Sequence, residues 1–472
     1  MKISIIGAGI SGLTAAFRLS SLNNQHNAGL QIEIFEKSGR AGGNISTKSE
    51  NGIIVEEGAD SFITSKPWGV ELCRELGIEE LLISTNDTNR KTYIYFENRL
   101  NELPEGFFMM APSNLEAFGK SPFFSEEGKK QILGEMEVPP VNEKEDESLE
   151  SFVLRRFGRE LLEKVAQPLI GGIYTGDPSR LSMKAILPEF SEMEHKQGSV
   201  IKGVIEKYSS SEISKKDSGA RYGLFVSFKQ GLSVLTDTLL RAIPEVKINL
   251  NSNVKEISNT NGKWLINTDK GDLSEADAVI ISGPAYISSH LIKSTDEVLS
   301  NLLGRIEYES SVVVNLVYEK KYCAGLPEGF GVVIPRTENM GLIACSFTAH
   351  KFNGRAPADK EIIRCFLGGA FNRGIIDLND KEIMEILQKE MKILFNIESP
   401  PVKSYIYHYP GSMPQYTVGY MDLMDNIKRE LQKHNSLALS GNAYGGVGIP
   451  DTIKSGIDAA EKIFHNLVKP EV

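Results

Sequence analysis

Short apolar runs alternate with glycine-punctuated turns over the first 45 residues. Ile3, Ile5 and Ile6 predict a buried strand, residues 13–22 a helix, and residues 31–36 a second strand. From about 60 to 220 the pattern turns helical, with helices expected over 70–76, 128–136 and 148–157. An acidic run over 143–150 reads as solvated loop and helix start, and the Ser/Lys-rich stretch 208–220 as an exposed loop. A helix over 231–243 precedes a β-meander turning at Asn261-Gly262 and Asp269-Lys270-Gly271, which ends in an apolar strand at 278–282. Strands are expected again at 311–318, 331–334, 342–347 and 362–367, then an amphipathic helix over 380–396. The chain closes as it opens, with a strand at 437–439, a glycine-dense turn, and a helix from about Asp451.

Length and composition narrow this picture. A chain of 472 residues exceeds what one hydrophobic core organises, so two or three lobes are expected. The hydrophobic share of 41% and charged share of 24% describe an ordinary soluble globule. A net charge of −10 argues against a general nucleic-acid binder, and no apolar run approaches the ~20 residues that span a bilayer. Lys2 and the apolar residues after it imitate a signal peptide, but Gly7, Gly9 and Gly12 break the run. The four cysteines form no CxxC pair and the seven histidines no cluster. Neither a metal site nor a disulfide framework is therefore expected, and a reducing, cytoplasmic setting fits.

The glycines carry the chemistry. Gly7-Ala8-Gly9-Ile10-Ser11-Gly12 lies between a strand and a helix, the place where a tight turn lets pyrophosphate approach bare backbone at a helix start. Glu36 ends the second strand, where a carboxylate accepts both hydroxyls of an adenosine ribose. A second glycine turn, Gly39-Arg40-Ala41-Gly42-Gly43, follows at once and brings a cation among bare backbone; Gly58-Ala59-Asp60-Ser61 makes a third. A simple nicotinamide domain has no need of these extra turns, so FAD is the expected cofactor. The last glycine turn, residues 441–448, ends at Pro450 and Asp451, typical helix-start residues. A helix start aimed at a flavin stabilises its reduced, anionic form.

Together these segments resemble the flavin-containing amine oxidase superfamily, and within it the protoporphyrinogen/coproporphyrinogen III oxidase family of Gram-positive bacterial type. That branch is suggested by Glu56-Glu57-Gly58-Ala59-Asp60-Ser61-Phe62 and by Pro168-Leu169-Ile170-Gly171-Gly172-Ile173-Tyr174-Thr175-Gly176-Asp177. Ser412-Met413-Pro414-Gln415-Tyr416 and Gly446-Val447-Gly448-Ile449-Pro450-Asp451 point the same way. The resemblance implies an α/β fold: a discontinuous Rossmann-like FAD domain with a βαβ unit, from 1–60, 221–300 and 400–472. It is joined by a mainly helical lobe over 61–220, substrate-binding or membrane-facing, and a mixed α+β substrate domain whose strands fall in 301–399. FAD contacts are implied at Gly7, Ala8, Gly9, Ile10, Ser11, Gly12, Glu36, Lys37, Arg40, Gly43, Asn44, Gly58, Ala59, Asp60, Ser61, Val254, Tyr409, Val447, Gly448 and Ile449. Asn44 stands where relatives usually carry Lys or Arg, and Tyr409 where they tend to carry Trp.

The implied reaction takes coproporphyrinogen III to coproporphyrin III in three two-electron steps, with oxygen as acceptor and hydrogen peroxide as product, in heme biosynthesis. Protoporphyrinogen IX is the alternative substrate. No catalytic triad is expected, because aromatisation drives the reaction and the protein needs only to hold the macrocycle and exclude water. Lys66 is a candidate partner for a substrate propionate, or a solvated lysine; Ile173 and Tyr174 line the pocket or belong to the core. His408 is a candidate base, though a lone histidine is more often structural. The aromatic stretch Phe107, Phe108, Met109, Met110, Phe118, Phe123 and Phe124 is core or tunnel lining in one reading. In the other it is a peripheral membrane patch or a docking surface for the next enzyme of the pathway. Two other functions compete: a noncovalent FAD amine oxidase, since no cysteine follows Cys365 to tether flavin, and a non-enzymatic flavoprotein scaffold.

Overall fold

Five parallel strands form the sheet on which the glycine turns are mounted. In chain order they are β1 (Lys2–Ile6), β2 (Gln31–Phe35), β3 (Lys247–Asn249), β4 (Ala278–Ser282) and β5 (Leu437–Ser440). Across the sheet the order is β3-β2-β1-β4-β5, so strands from the start, middle and end of the chain interleave. The computed structural model describes residues 1–86, 91–141, 145–208 and 225–468; the expected loop at 208–220 lies almost wholly outside them. β4 is buried along its whole length, as an apolar run in a parallel sheet covered on both faces must be.

Two helices cover one face: α1 (Ile10–His26) and α2 (Ile449–Leu467). They approach closely because Gly456 has no side chain; a Cβ there would lie 2.3 Å from the Ser11 carbonyl oxygen. Arg18 and Glu461 pair across the same seam at 2.7 Å. The expected meander is present beside β4, as the antiparallel strands Val254–Thr260, Lys263–Thr268 and Leu273–Ala276.

A seven-stranded sheet makes the second lobe, and it draws on more of the chain than 301–399. Its order is Lys403–Pro414, Tyr308–Glu319, Lys360–Gly368, Leu342–Phe347, Gly331–Val333, Thr92–Phe96 and Arg99–Glu102. The edge hairpin at 92–102 thus comes from the stretch read as helical. It turns at Glu97 and Asn98, both at positive φ, the geometry of a tight two-residue hairpin. The strand at 403–414 comes from the stretch assigned to the flavin domain.

Helices dominate the described residues between 115 and 208, as expected; the first two residues of the acidic run, 143 and 144, lie outside them. Asn114, Ser125, Ser148 and Ser182 each accept a backbone N–H at a helix start, which fixes where four of these helices begin. The acidic run ends in one of these caps, with Glu147 pairing Arg155 at 2.6 Å. The aromatic stretch is core. Phe107 and Phe118 are fully buried and Phe108, Phe123 and Phe124 nearly so; the rings of Phe107, Phe118, Phe123 and Phe124 meet at centroid distances of 4.9–6.0 Å. Packed inward, these side chains offer no membrane or docking patch. No helix among the described residues is long and apolar enough to cross a membrane.

A buried ion cluster pins this lobe. The Arg156 side chain is fully buried between Glu135 and Glu194, and its Nη1 reaches Glu194 at 2.8 Å. Removing one partner of such a cluster leaves carboxylates unpaired in a low-dielectric interior, at a cost of about 3–5 kcal/mol. Arg156→Met is therefore expected to lower stability by about that amount, read as a lowered midpoint in urea, whereas an unchanged midpoint would show that the cluster contributes nothing.

Candidate active site

The carboxyl ends of β1, β2, β4 and β5 converge on one crevice, where an open parallel sheet places its ligands. Gly7 turns the chain at φ +108°, and a Cβ there would sit 2.2 Å from the Ser282 carbonyl oxygen. The second glycine turn lies directly on the first: Gly42 N–H donates to Ala8 O at 2.8 Å, and Gly9 and Gly42 form a parallel bridge. Arg40 does not stand free as a cation; its guanidinium donates to Gly43 O at 2.8 Å and Ile45 O at 3.2 Å and so braces that turn. Lys37 and Asn44 are exposed. The third turn is held against Asn44, whose carbonyl oxygen is 1.9 Å from where a Gly58 Cβ would stand.

Glu36 is buried and already engaged. Its Oε2 accepts Ala8 N–H at 2.8 Å, and its Oε1 accepts Ser38 N–H at 2.8 Å and Ser38 Oγ–H at 2.7 Å. The Ser38 hydroxyl has a second acceptor, Arg40 O at 2.8 Å, so by turning it releases a carboxylate position for a ribose hydroxyl. Val254 follows Ser252, whose N–H donates to Glu36 O at 2.8 Å, and is buried on the same side.

Both helices that face the crevice begin on glycine. α1 has Gly9 and α2 has Gly448 as N-cap, and at neither end does a side chain among the described residues cap the first N–H groups. An uncapped helix start offers free N–H groups and a positive dipole end to an anionic group, at α1 the kind of site a pyrophosphate fills. Gly9 is the clearest sign of a ligand: a Cβ there would have Gly43 Cα, at 3.9 Å, as its nearest atom among the described residues. The protein itself thus leaves room beside Gly9, enough for a side chain or for a bound group. Beneath the turn three hydroxyls form a chain, Ser11 to Ser282 at 2.9 Å and Ser282 to Ser440 at 2.6 Å; of these only Ser11 is among the expected site residues.

Tyr409 lies beside the third turn, its hydroxyl 3.5 Å from where a Gly58 Cβ would stand. Burial, reinforced by Glu57, pushes that hydroxyl up to about 12, so it remains a donor. Val447, Gly448 and Ile449 lead into α2. Lys66 donates to both oxygens of Asp451 at 2.7 Å, in the first turn of α2. Rather than waiting for a substrate carboxylate, it ties the segment after the third turn to the helix start.

Ile173 and Tyr174 part ways. Ile173 is 45% exposed, whereas Tyr174 turns inward, its hydroxyl donating to Ile186 O at 3.3 Å and its ring 6.1 Å from Tyr416. Burial first, then the Asp451 charge, raises the Tyr174 hydroxyl well above its ordinary value. Next to them, Gln167, Gly171 and Thr175 face Ile334, Gly369 and Phe371 across a narrow cleft, and the Arg336 guanidinium lies 4.1 Å over the Phe371 ring. His408 meets Asp380 at 3.2 Å near the surface, a structural pairing.

A family model described as flavin containing amine oxidoreductase matches residues 10–464. The chain belongs to that family. This flavin-containing oxidoreductase is 30% identical over 455 residues to the coproporphyrinogen III oxidase of Bacillus subtilis, covering 96% of each chain. It is 29% identical to the coproporphyrinogen III oxidase of Staphylococcus aureus over 99% of each. A solved structure from Exiguobacterium sp. 255-15, assigned as a protoporphyrinogen oxidase, superposes with a TM-score of 0.87 at 27% identity over 98% of each chain. The oxidoreductase takes FAD, and the stacked glycine turns, the two uncapped helix starts and the open space at Gly9 fit that cofactor. Gly9→Val is expected to leave the thermal midpoint of the FAD-free protein unchanged while weakening FAD binding more than tenfold by fluorescence titration; equal FAD affinity would remove Gly9 from the site.

Proposed function

We propose that this oxidoreductase converts coproporphyrinogen III to coproporphyrin III, with oxygen as electron acceptor and hydrogen peroxide as product, as a step of heme biosynthesis. The observation that carries the substrate is the end-to-end similarity to two bacterial enzymes of that name, without a missing lobe on either side. Protoporphyrinogen IX is the second reading, favoured by the protoporphyrinogen oxidase 2 of Arabidopsis thaliana, 28% identical over 99% of this chain.

FAD, when bound, supplies a two-electron acceptor. The chain's own work is then binding, orientation and exclusion of water. Backbone N–H groups at the start of α1 would hold the pyrophosphate, the start of α2 would face the flavin, and Glu36 would take the ribose. Ala8, Ile10, Ala59 and Asp60 complete the walls of the turns. At the narrow cleft between Gln167–Thr175 and Ile334–Phe371, Arg336 over the Phe371 ring brings a cation suited to a substrate carboxylate. Four cysteines remain unbridged although Cys345 and Cys365 stand opposite each other in neighbouring strands, which supports a reducing, cytoplasmic location.

The test is oxygen-dependent porphyrin fluorescence from the purified, FAD-loaded protein with each porphyrinogen in turn. Turnover of coproporphyrinogen III at a higher kcat/KM than protoporphyrinogen IX is expected. The reverse order selects the second reading, and no fluorescence from either, in a protein that holds FAD, overturns both.

A further inference from the structure

Five ionisable side chains are buried where the seven-stranded sheet meets the third glycine turn. Lys351 Nζ lies 2.9 Å from Asp60 Oδ2 and donates to Ser61 Oγ at 3.1 Å. Arg364 Nη1 is 3.5 Å from the same Asp60 oxygen, and its Nη2 donates to the Gly58 carbonyl. Behind the turn, Arg355 reaches Glu56 Oε1 at 3.3 Å and Ser227 Oγ at 2.7 Å. None of the five side chains is more than 13% exposed.

Their charges do not balance. Three cations face two carboxylates, and the neighbouring Arg40–Glu57 pair, 3.9 Å apart, adds nothing to the sum. The nearest other carboxylate on the strand, Glu361, is three residues from Arg364 and therefore on the opposite face, where it meets His350 at 3.4 Å. At Asp60 the cost of burial is overcome by Lys351 and Arg364, which hold its carboxyl well below the usual range. At Glu56 burial wins over Thr47 and Arg355 and pushes the carboxyl up. The polar inventory is incomplete too: among the described residues Arg355 Nε, Arg364 Nε and Asn315 Oδ1, which stands opposite Arg364 in the sheet, have no partner. A buried surplus cation is costly unless a negative group completes it.

We infer that Arg364 and Lys351 are positioning residues that hold this surplus charge against the Gly58–Ser61 turn and so raise the reduction potential of bound FAD. Uptake of two electrons and one proton, taken from the substrate, adds one negative charge to the cofactor, and the surplus cation favours that reduced state. The inference rests on the reading that the turn touches FAD.

Redox titration of the FAD-loaded protein, followed by its visible spectrum, tests the idea together with FAD affinity. Arg364→Met is expected to weaken binding of reduced relative to oxidised FAD at least tenfold, which lowers the potential by ~30 mV for a two-electron couple. Lys351→Met shifts it the same way, Arg364→Lys retains the wild-type potential, and Asp60→Asn shifts it upward because a carboxylate is lost. Opposite signs at positions 60 and 364 are what a structural latch would not produce. Oxidised-FAD affinity that changes while the potential stays fixed, or moves down in both variants, overturns the inference but keeps the turn at the cofactor. Neither affinity nor potential responding in any variant would instead show that the turn lies away from FAD.

Discussion

Backbone lying directly on backbone is the constraint from which the site follows. The turns around Gly9 and Gly42 touch through main-chain atoms, with the Gly58 turn stacked behind them on Asn44. A side chain at Gly43 or Gly58 would force these layers apart, whereas one at Gly9 would occupy the open space beside the turn. The first turn also leaves the opening N–H groups of α1 uncapped, as Gly448 does for α2. The sheet order serves the same end. Placing β4 beside β1, and β5 beside β4, brings Ser282 and Ser440 under the first turn, although they come from the middle and the end of the chain.

What was legible in the sequence is what local chemistry dictates. The βαβ unit, Glu36 and the C-terminal turn each announce themselves within a few residues, since glycine spacing and an acidic strand end have few other uses. The seven-stranded sheet was harder to read. Its members at 92–102 and 403–414 lie far from 308–368 in sequence, and only tertiary pairing joins them. A local signal did exist at Glu97-Asn98, between two runs of β-forming residues. Arg364 was also readable: a cation inside an apolar strand, between Ile363 and Cys365, implies a buried partner. Lys66 and Arg40 show the opposite limit. Both are cations beside glycine turns, and both spend their charge on the protein's own acceptors, Asp451 for one and loop carbonyls for the other.

The flavin lobe and the sheet lobe do different work. The first is built from main-chain geometry; the second brings side chains, including Lys351, Arg355 and Arg364, against the third glycine turn from outside. A fold of this kind is used for unrelated chemistries, so the substrate must be argued from the cleft and from full-length relatives, and the cofactor from the turns. Residues 167–176 contribute the most distinctive cleft wall, a wide helical stretch, Leu162–Gly171, that carries Pro168 within it and runs into Ile173 and Tyr174.

The most direct measurement is anaerobic, single-turnover mixing of the FAD-loaded protein with coproporphyrinogen III, following the flavin absorbance near its visible maximum. The account predicts loss of that absorbance at a rate that saturates with porphyrinogen concentration, and no loss with aliphatic amines. Bleaching by an amine, with coproporphyrinogen III leaving the spectrum unchanged, would contradict it.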